Sequence, residues 1–519
     1  MERPNFLLVM TDQHRADHLG CAGNPVLRTP HIDGLAARGT RFDRFYVANP
    51  VCMPNRASLM TGRLPSSHMV RHNGIPLPLQ TTTFANLLRA AGYQTALVGK
   101  AHLQNMTGIP AARAVFGDPA YRDPPADLAD GLNLGLDGPA YDGENARAWA
   151  ANPDRPVEGP FYGFDHVRLC GLHGDLVAGH YTAWLRDRGG AGLVGPDKAL
   201  PDDRYSVPQA WRTRVPEDLY PTAYVAEQAL AFLDRMDGSE PFLLKVSFPD
   251  PHHPFTPPGR YWDLYDPDDM PPPRTFDDFM GADPPPVPGL REVLADPGRF
   301  PYGPQPVTER QAREAMALTY GMIAMVDDAV GRILARLEEK GLAGNTVVLF
   351  TSDHGDFMGD RGVLFKFGMH YQELIRVPFI WADPARPDAR VSADLAGTID
   401  IAPTLLARAG LNPPFGTQGR DLFGAPPPPA MVVEDVTAAY VTDPAHPVHF
   451  TTLVTGRWRL TRYEGCDWGE MFDLENDPEE RRNLWPDPAA KARRGELHEA
   501  LAARMLALAP RALRPVMRA

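Results

Sequence analysis

The stretch "TVVLFTSDHGD", residues 346–356, runs from β-branched and apolar residues straight into an aspartate and a histidine. Apolar on both faces and too short for a helix, its first seven residues read as a strand covered on both sides of a sheet. Four further segments have the same character: "NFLLVMT" (5–11), "QTALVG" (94–99), "FLLKVSF" (242–248) and "VPFIWA" (377–382). Helical patterns lie between them: "TPHIDGLAARG", with Gly39 as a stop; "TTFANLLRAAG", stopped by Gly92; "AYVAEQALAFLDRM"; "EAMALTYGMIAMVDDAVGRILARLEEKG"; and "DIAPTLLARAG". Strands alternating with helices predict an α/β fold, a large and mostly parallel sheet sandwiched by helices.

Residues from about 105 to 220 show little periodicity and much Pro and Gly, and read as a loop-rich insertion over the active face. Past the proline run 426–429, "AMVVEDV", "HFTTLVTGRWRLTRY" and "EMFDL" predict a small antiparallel sheet, followed by a helix from about 488 to 507. The expected division is a catalytic α/β domain over 1–425 and a small C-terminal α+β subdomain over 426–519. The 56 prolines, clustered at "DPPADLADG", "MPPPRTF", "ADPPPVPG" and "APPPPA", predict long ordered loops, because Pro is excluded from helix interiors and central strands.

Against 65 acidic residues the 519-residue chain sets only 52 basic ones, a formal net charge of −13. Neither a nucleic-acid backbone nor an anionic membrane surface suits such a protein. Positive charge for an anionic substrate must then be gathered locally. No run approaches the roughly 20 apolar residues of a membrane span. The N-terminus, "MERPNFLLVMTDQHRADHLG", has a short apolar core and no small-residue cleavage site, so a cytoplasmic protein is expected. Four widely separated cysteines without a CxxC pair suggest neither a disulfide framework nor structural zinc.

In an open α/β sheet, ligands bind beyond the carboxyl ends of the strands. Four of the five runs end there in Asp12 and Gln13, Lys100 and His102, His252 and His253, and Asp353 and His354. Ordinary turns favour Gly, Asn, Asp and Ser over Lys and His, so four such ends together point to a site. Asp12, Gln13, Asp353 and His354 offer three oxygen donors and one nitrogen, a set for calcium, magnesium or manganese. Lys100, His102, Arg56 and Lys366 could neutralise a tetrahedral anion. His252 and His253 compete for one place near it.

Cys21, Cys170 and Cys466 read as inert packing. Cys52 instead precedes the helical "NRASLMTG", where free N–H groups and the helix dipole favour an anion. The segment "CMPNRASLMTGR" resembles the C-x-P-x-R…TGR signature of the type I, formylglycine-dependent sulfatases of the alkaline phosphatase superfamily. The resemblance extends through "NFLLVMTDQHRADHLG", "TPHIDGLAARGTRF", "AGYQTALVGKAH", "PHHP", "FTSDHGDFMGDRG", "FKFGMHYQE" and "MFDLENDPEERRNL", covering nearly the whole chain.

That resemblance implies that a formylglycine-generating enzyme, as a transient partner, converts Cys52 to formylglycine, which is hydrated to a geminal diol. One hydroxyl, activated by the metal, attacks sulfur in line and displaces the alcohol. The other then loses its proton, the aldehyde re-forms, and sulfate leaves by carbon–oxygen cleavage. Asp12, Gln13, Asp353 and His354, with the modified Cys52, match the ligands of one divalent metal. Lys100 and Lys366 match the residues that grip the sulfuryl oxygens, and His252 the histidine beside the leaving group. His102 matches the residue assisting sulfate release, and Arg56 the one holding the formylglycine.

Asn55 stands where many members have serine or alanine. Gln13 and His354 replace the second aspartate and the asparagine common in calcium-dependent sulfatases, which leaves manganese and calcium as the candidate ions. The Gln and His ligands resemble those of the phosphonate monoester and phosphodiester hydrolases, and Asn73 stands where those have a substrate-side asparagine. Lys100 and His102, however, stand where those enzymes carry Tyr and Thr. The expected substrates are therefore small sulfate monoesters, with phosphonate or phosphodiester hydrolysis as the alternative. Three rival readings are an unmodified Cys52 thiol with His102 as base, a non-catalytic binding protein, and a two-zinc phosphatase, which needs more ligands than can be assigned. Phe116, Tyr121, Tyr141, Trp149, Phe161 and Tyr162 could be loop core or substrate contacts. The tail "RALRPVMRA" could be free or contact a second copy in a homo-oligomer.

Overall fold

The computed structural model describes residues 3–109, 120–125, 127–280, 290–299, 303–366, 368–436 and 448–510. Nine strands form the main sheet: β1 (Asn5–Thr11), β2 (Thr40–Phe42), β3 (Gln94–Gly99), β4 (His166–Gly171), β5 (Ala178–Gly179), β6 (Phe242–Ser247), β7 (Thr346–Ser352), β8 (Phe379–Ala382) and β9 (Arg390–Ser392). Their spatial order is β9-β2-β8-β7-β1-β6-β3-β4-β5. The central five, β7-β1-β6-β3-β4, are parallel, with Phe6 paired to both Val347 and Leu243. Alternation along β1 explains its unbroken apolar run: Phe6, Leu8 and Met10 enter the core on one face, Leu7 and Val9 that on the other.

Seven helices carry most of the cover: α1 (Pro30–Ala36), α2 (Cys52–Thr61), α3 (Phe84–Ala90), α4 (Pro221–Asp234), α5 (Glu309–Glu339), α6 (Ile401–Arg408) and α7 (Lys491–Leu508). Their ends follow the sequence. Thr83 with Asn86 and Thr308 with Gln311 form capping boxes, and α2 stops at Gly62 with φ 66°. Helix α1 begins with Pro30, and the Asp327 carboxylate on α5 accepts the N–H groups of His31 (3.2 Å) and Ile32 (2.8 Å). Among the described residues no helix is long and apolar enough to cross a membrane.

Two features differ from the sequence reading. The "VPFIWA" strand, β8, runs antiparallel to β7, so its carboxyl end points away from the other four. The irregular segment 105–220 is not only loop: it supplies β4, which extends the parallel sheet beside β3, and the short antiparallel β5. Its aromatics Tyr141, Trp149, Phe161 and Tyr162 are buried as core, whereas Tyr121 is exposed. Phe116, "ADPPPVPG" beyond Gly281 and the tail 511–519 lie outside the described residues.

The C-terminal sheet is a four-stranded antiparallel meander: β10 (Ala430–Val436), β11 (His449–Thr455), β12 (Trp458–Tyr463) and β13 (Gly469–Asp473). Met431, Val433, Phe450 and Tyr463 on one face join the core of the large sheet. Val432, Leu453, Leu460 and Met471 on the other face pack on Leu497, Leu501 and Leu508 of α7.

Candidate active site

Asp12, Lys100, His252 and Asp353 all emerge at the carboxyl ends of β1, β3, β6 and β7, as expected, and the structure brings them together. The strands close up at Gly99, which holds φ 105°. A Cβ there would lie 1.9 Å from the Ser247 carbonyl oxygen of β6. Glycine lets the Lys100 backbone N–H donate to that same oxygen at 2.8 Å, which aims the lysine into the site.

Cys52 is the first residue of α2, and no side chain caps that helix from its N-cap, Val51. Instead the Asn73 side-chain oxygen accepts the Met53 N–H (3.0 Å) from across the helix mouth. Asn55 bonds in two directions, accepting from the Ala48 N–H (2.9 Å) and donating to the Asp353 carbonyl (2.6 Å). These bonds tie the helix start to the end of β7. The Cys52 Sγ then lies 3.1 Å from His354 Nε2, 3.5 Å from Lys366 Nζ and 3.8 Å from Asp12 Oδ1.

Arg56, one helical turn on, joins the two carboxylates: its Nε donates to Asp353 (2.7 Å) and one terminal nitrogen to Asp12 (3.1 Å). The other terminal nitrogen donates to the Lys100 carbonyl and to the Ser247 hydroxyl, both at 2.9 Å. All three residues are buried. Burial opposes the Arg56 charge, but Asp353 and Asp12 more than offset it and raise its pKa. Burial likewise opposes the Asp12 charge, yet Lys100 and Arg56 hold that carboxyl well below its ordinary range. Lys100 completes the contact with an ion pair to Asp12.

Donor atoms of Asp12, Cys52, Asp353 and His354 lie within 4.8 Å of one another, and all four residues are buried. The His354 Nδ1 is 2.9 Å from the Gly355 carbonyl, which fixes the ring proton there and turns the Nε2 lone pair inward. Burial lowers the His354 pKa to about 4, so the ring is neutral. The Gln13 side-chain oxygen faces the same space, 3.1 Å from Lys366 Nζ, while its nitrogen is held by His253 and Asp356. Two carboxylates, an amide oxygen and a neutral imidazole are donors that a divalent cation takes, so the residues fit one.

Residues 4–411 match the family model described as Sulfatase, and residues 359–506 match the C-terminal model of N-sulphoglucosamine sulphohydrolase. The chain belongs to the sulfatase family. An arylsulfatase of Clostridium perfringens is 30% identical over 502 residues, covering 93% of this chain and 90% of the relative. The multifunctional alkaline phosphatase superfamily protein PehA of Trinickia caryophylli is 28% identical, with 95% and 93% covered. Among solved structures, the phosphonate monoester hydrolase of Agrobacterium radiobacter superposes with a TM-score of 0.74 at 25% identity, covering 99% of this chain and all of that one. This sulfatase is a hydrolase of sulfuric ester bonds.

Lys366, bonded to Cys52 Sγ, leads to the other candidate residues. Lys366 Nζ lies 2.8 Å from His354 Nε2 and 3.1 Å from His252 Nε2. The structure thereby separates the two competing histidines: His252 faces Lys366, whereas His253 stands behind Gln13, its Nδ1 at 2.9 Å. His102 is buried, and its Nδ1 has no partner among the described residues. Its loop is fixed by Glu144, whose carboxylate accepts the N–H groups of His102, Leu103 (2.6 Å) and Gln104 (2.8 Å). Burial and the Asp12 carboxylate raise the Cys52 thiol pKa, and no hydrogen bond joins it to His102 among the described residues. The missing contact to His102 counts against an unmodified thiol with His102 as its base.

Sequence reasoning missed two residues here, His173 and Glu144. His173 follows β4, two residues beyond its end, and its Nε2 is 2.5 Å from Lys100 Nζ. The signal was "HVRLCGLH", a strand run ending in a histidine inside the segment read as irregular. Glu144, the carboxylate that holds the His102 loop, carried no pattern that sequence alone could separate from surface acid.

Proposed function

We propose that this sulfatase hydrolyses small sulfate monoesters, with aryl sulfates as suitable substrates, through formylglycine at position 52 and one divalent cation, Mn2+ or Ca2+. The observation that carries the reading is the position of Cys52: first residue of α2, buried, and within 3.8 Å of Asp12, His354 and Lys366 atoms. A hydrated aldehyde there supplies a hydroxyl nucleophile and a second hydroxyl through which sulfate is expelled. A formylglycine-generating enzyme is then a required transient partner, and Asn55 within the signal is compatible with it because the flanking Cys, Pro and Arg are intact.

Asp12, Gln13, Asp353 and His354 would hold the cation, which supplies Lewis acidity beside the nucleophile. Lys100 and Lys366 flank position 52 and are suited to gripping sulfuryl oxygens, adding positive charge where a chain of net charge −13 needs it. His252, whose Nε2 faces the Lys366 ammonium at 3.1 Å, would lie beside the departing oxygen and pass it a proton drawn from Lys366. His102, with an unpartnered buried nitrogen, is suited to taking the proton whose loss releases sulfate. Asn73, at the helix mouth, would face the substrate. Arg56 acts through the two carboxylates that it joins. Residues 1–425 would carry the chemistry and 426–519 form a subdomain that buttresses it.

A second reading, phosphonate monoester or phosphodiester hydrolysis, is favoured by Gln13 and His354 in the ligand set and by the phosphonate hydrolase likeness. The ratio of kcat/KM for an aryl sulfate and an aryl phosphonate monoester decides between them, measured on one manganese-supplemented preparation. Preference for the sulfate is expected. Preference for the phosphonate exchanges the two readings, and an unmodified thiol on every copy of the peptide ending at Arg56 by mass spectrometry sinks the mechanism.

A further inference from the structure

We infer that His173 is a positioning residue of this site: it clamps the Lys100 ammonium against Asp12 and fixes the plane of His252. The inference rests on the proposed roles of Lys100 and His252. Three independent features support it. The first is contact: Nε2 is 2.5 Å from Lys100 Nζ and 3.9 Å from Asp12 Oδ2, so the ammonium is held from two sides. A lysine on a flexible four-carbon stem with a single acceptor would sweep a larger volume. The second is stacking: the His173 and His252 rings are parallel within 7°, with centroids 3.5 Å apart. His252 is thereby held on one face by His173 and at its Nε2 edge by Lys366.

The third is the loop that presents His173. Leu172 holds φ 64° and Gly174 φ 55°, so a non-glycine residue is kept in the left-handed region beside the site. A Cβ on Gly174 would lie 2.8 Å from Pro254 and 2.9 Å from the Thr256 hydroxyl, which shows how closely the loop lies on the "PHHPF" segment. Asp175 anchors its far side, donating its N–H to Thr256 (3.2 Å) and accepting from Thr213 (2.7 Å) and the Trp211 indole (3.2 Å). Anchored in this way, the loop aims His173 at Lys100.

This arrangement also answers the two-zinc reading. Asp12, His173 and His252 place donor atoms within 4.8 Å of one another, a set that on its own would suit a second divalent ion. The Lys100 ammonium lies between Asp12 and His173, so this set closes on a cation that the chain itself provides. Side-chain exposure is 20% for His173 and zero for Lys100 and Asp12, which makes His173 the most exposed of the three.

The test compares His173→Phe, which keeps a ring on His252 and deletes the acceptor for Lys100, with His173→Gln, which offers an acceptor without the ring. Both are assayed on whichever of the two aryl esters the wild type turns over, across leaving groups of differing acidity. Melting temperature and bound metal are measured in parallel. For His173→Phe, kcat should fall about 10- to 100-fold with a steeper dependence on the leaving group, at near wild-type melting temperature and metal content. His173→Gln should recover part of kcat. Wild-type kcat and leaving-group dependence in both variants would overturn the inference, as would losses that merely track melting temperature or metal content. If the wild type turned over neither ester, the proposed function would fail by itself. Calorimetric binding of inorganic sulfate would then decide His173, with weaker binding by His173→Phe expected and equal binding overturning it. If His173→Phe does not fold, His173→Gln and His173→Asn are read in the same way.

Discussion

Arg56 shows how a single side chain can organise a site by joining two buried carboxylates beside Cys52. Its guanidinium spans Asp353 and Asp12, 2.7 and 3.1 Å away, and both carboxylates are fully buried. Removing one partner from a buried ion network leaves charge without compensation and typically destabilises by roughly 3–5 kcal/mol. Arg56→Met should therefore lower the unfolding free energy by about that amount in chelator, measured by urea titration. It should also make the midpoint more dependent on added Mn2+ or Ca2+ than that of the wild type, because the cation becomes the main remaining countercharge. Wild-type stability in chelator would show that Arg56 does not hold the carboxylates. Asn55 reads in the same terms: its two backbone bonds join Ala48 to the end of β7, which gives a structural reason for an amide where smaller residues are common.

At the level of elements, the site depends on how closely β3 and β6 approach at their carboxyl ends. Gly99→Ala places a methyl 1.9 Å from the Ser247 carbonyl at a φ of 105°. Overpacking plus a strained backbone should cost roughly 2–5 kcal/mol, and the β3 end should move and carry Lys100 away from Asp12. Thermal melting and kcat should fall together, and a fully stable, fully active Gly99→Ala would refute the close approach. Four of the five strands flanking the site could be read from sequence because each is apolar on both faces and stops abruptly at a charged or imidazole side chain. Strand β4 could not, since His166 and Arg168 break its apolar run and are themselves only half-buried. The direction of β8 was equally out of reach, because side-chain periodicity is the same for either strand polarity. Strands of two or three residues, such as β5 and β9, carry no period at all.

Across the whole molecule, the same burial that builds the site makes stability depend on acid. Burial, reinforced by Arg63 and Arg71, lowers the His68 pKa to about 3, and its Nε2 pairs with the Ser58 hydroxyl of α2 at 2.9 Å. His18 is lowered to about 3, and His14 and His180 to about 4, burial again being the main cause. Each takes up a proton near pH 6.5 when the chain unfolds, so its stabilising contribution is complete above 6.5 and is lost as pH falls toward the folded value. Burial acts in the opposite sense on acids. It raises Asp250 and Glu373 to about 7 and Asp400 and Asp327 to about 6, and these favour the folded state as pH falls from those values toward about 4. The two sets oppose each other between about pH 4 and 6.5, and below 4 only His18 and His68 go on losing stability, without that offset, so the fold weakens further there. One substitution isolates the sign. His68→Gln keeps a polar partner for Ser58 and removes the titration, so between pH 7 and 4.5 the wild type should lose about 2.5 kcal/mol more than the variant. Urea titrations at the two pH values measure this difference. A constant gap between wild type and variant would mean that folding leaves the His68 pKa at its ordinary value.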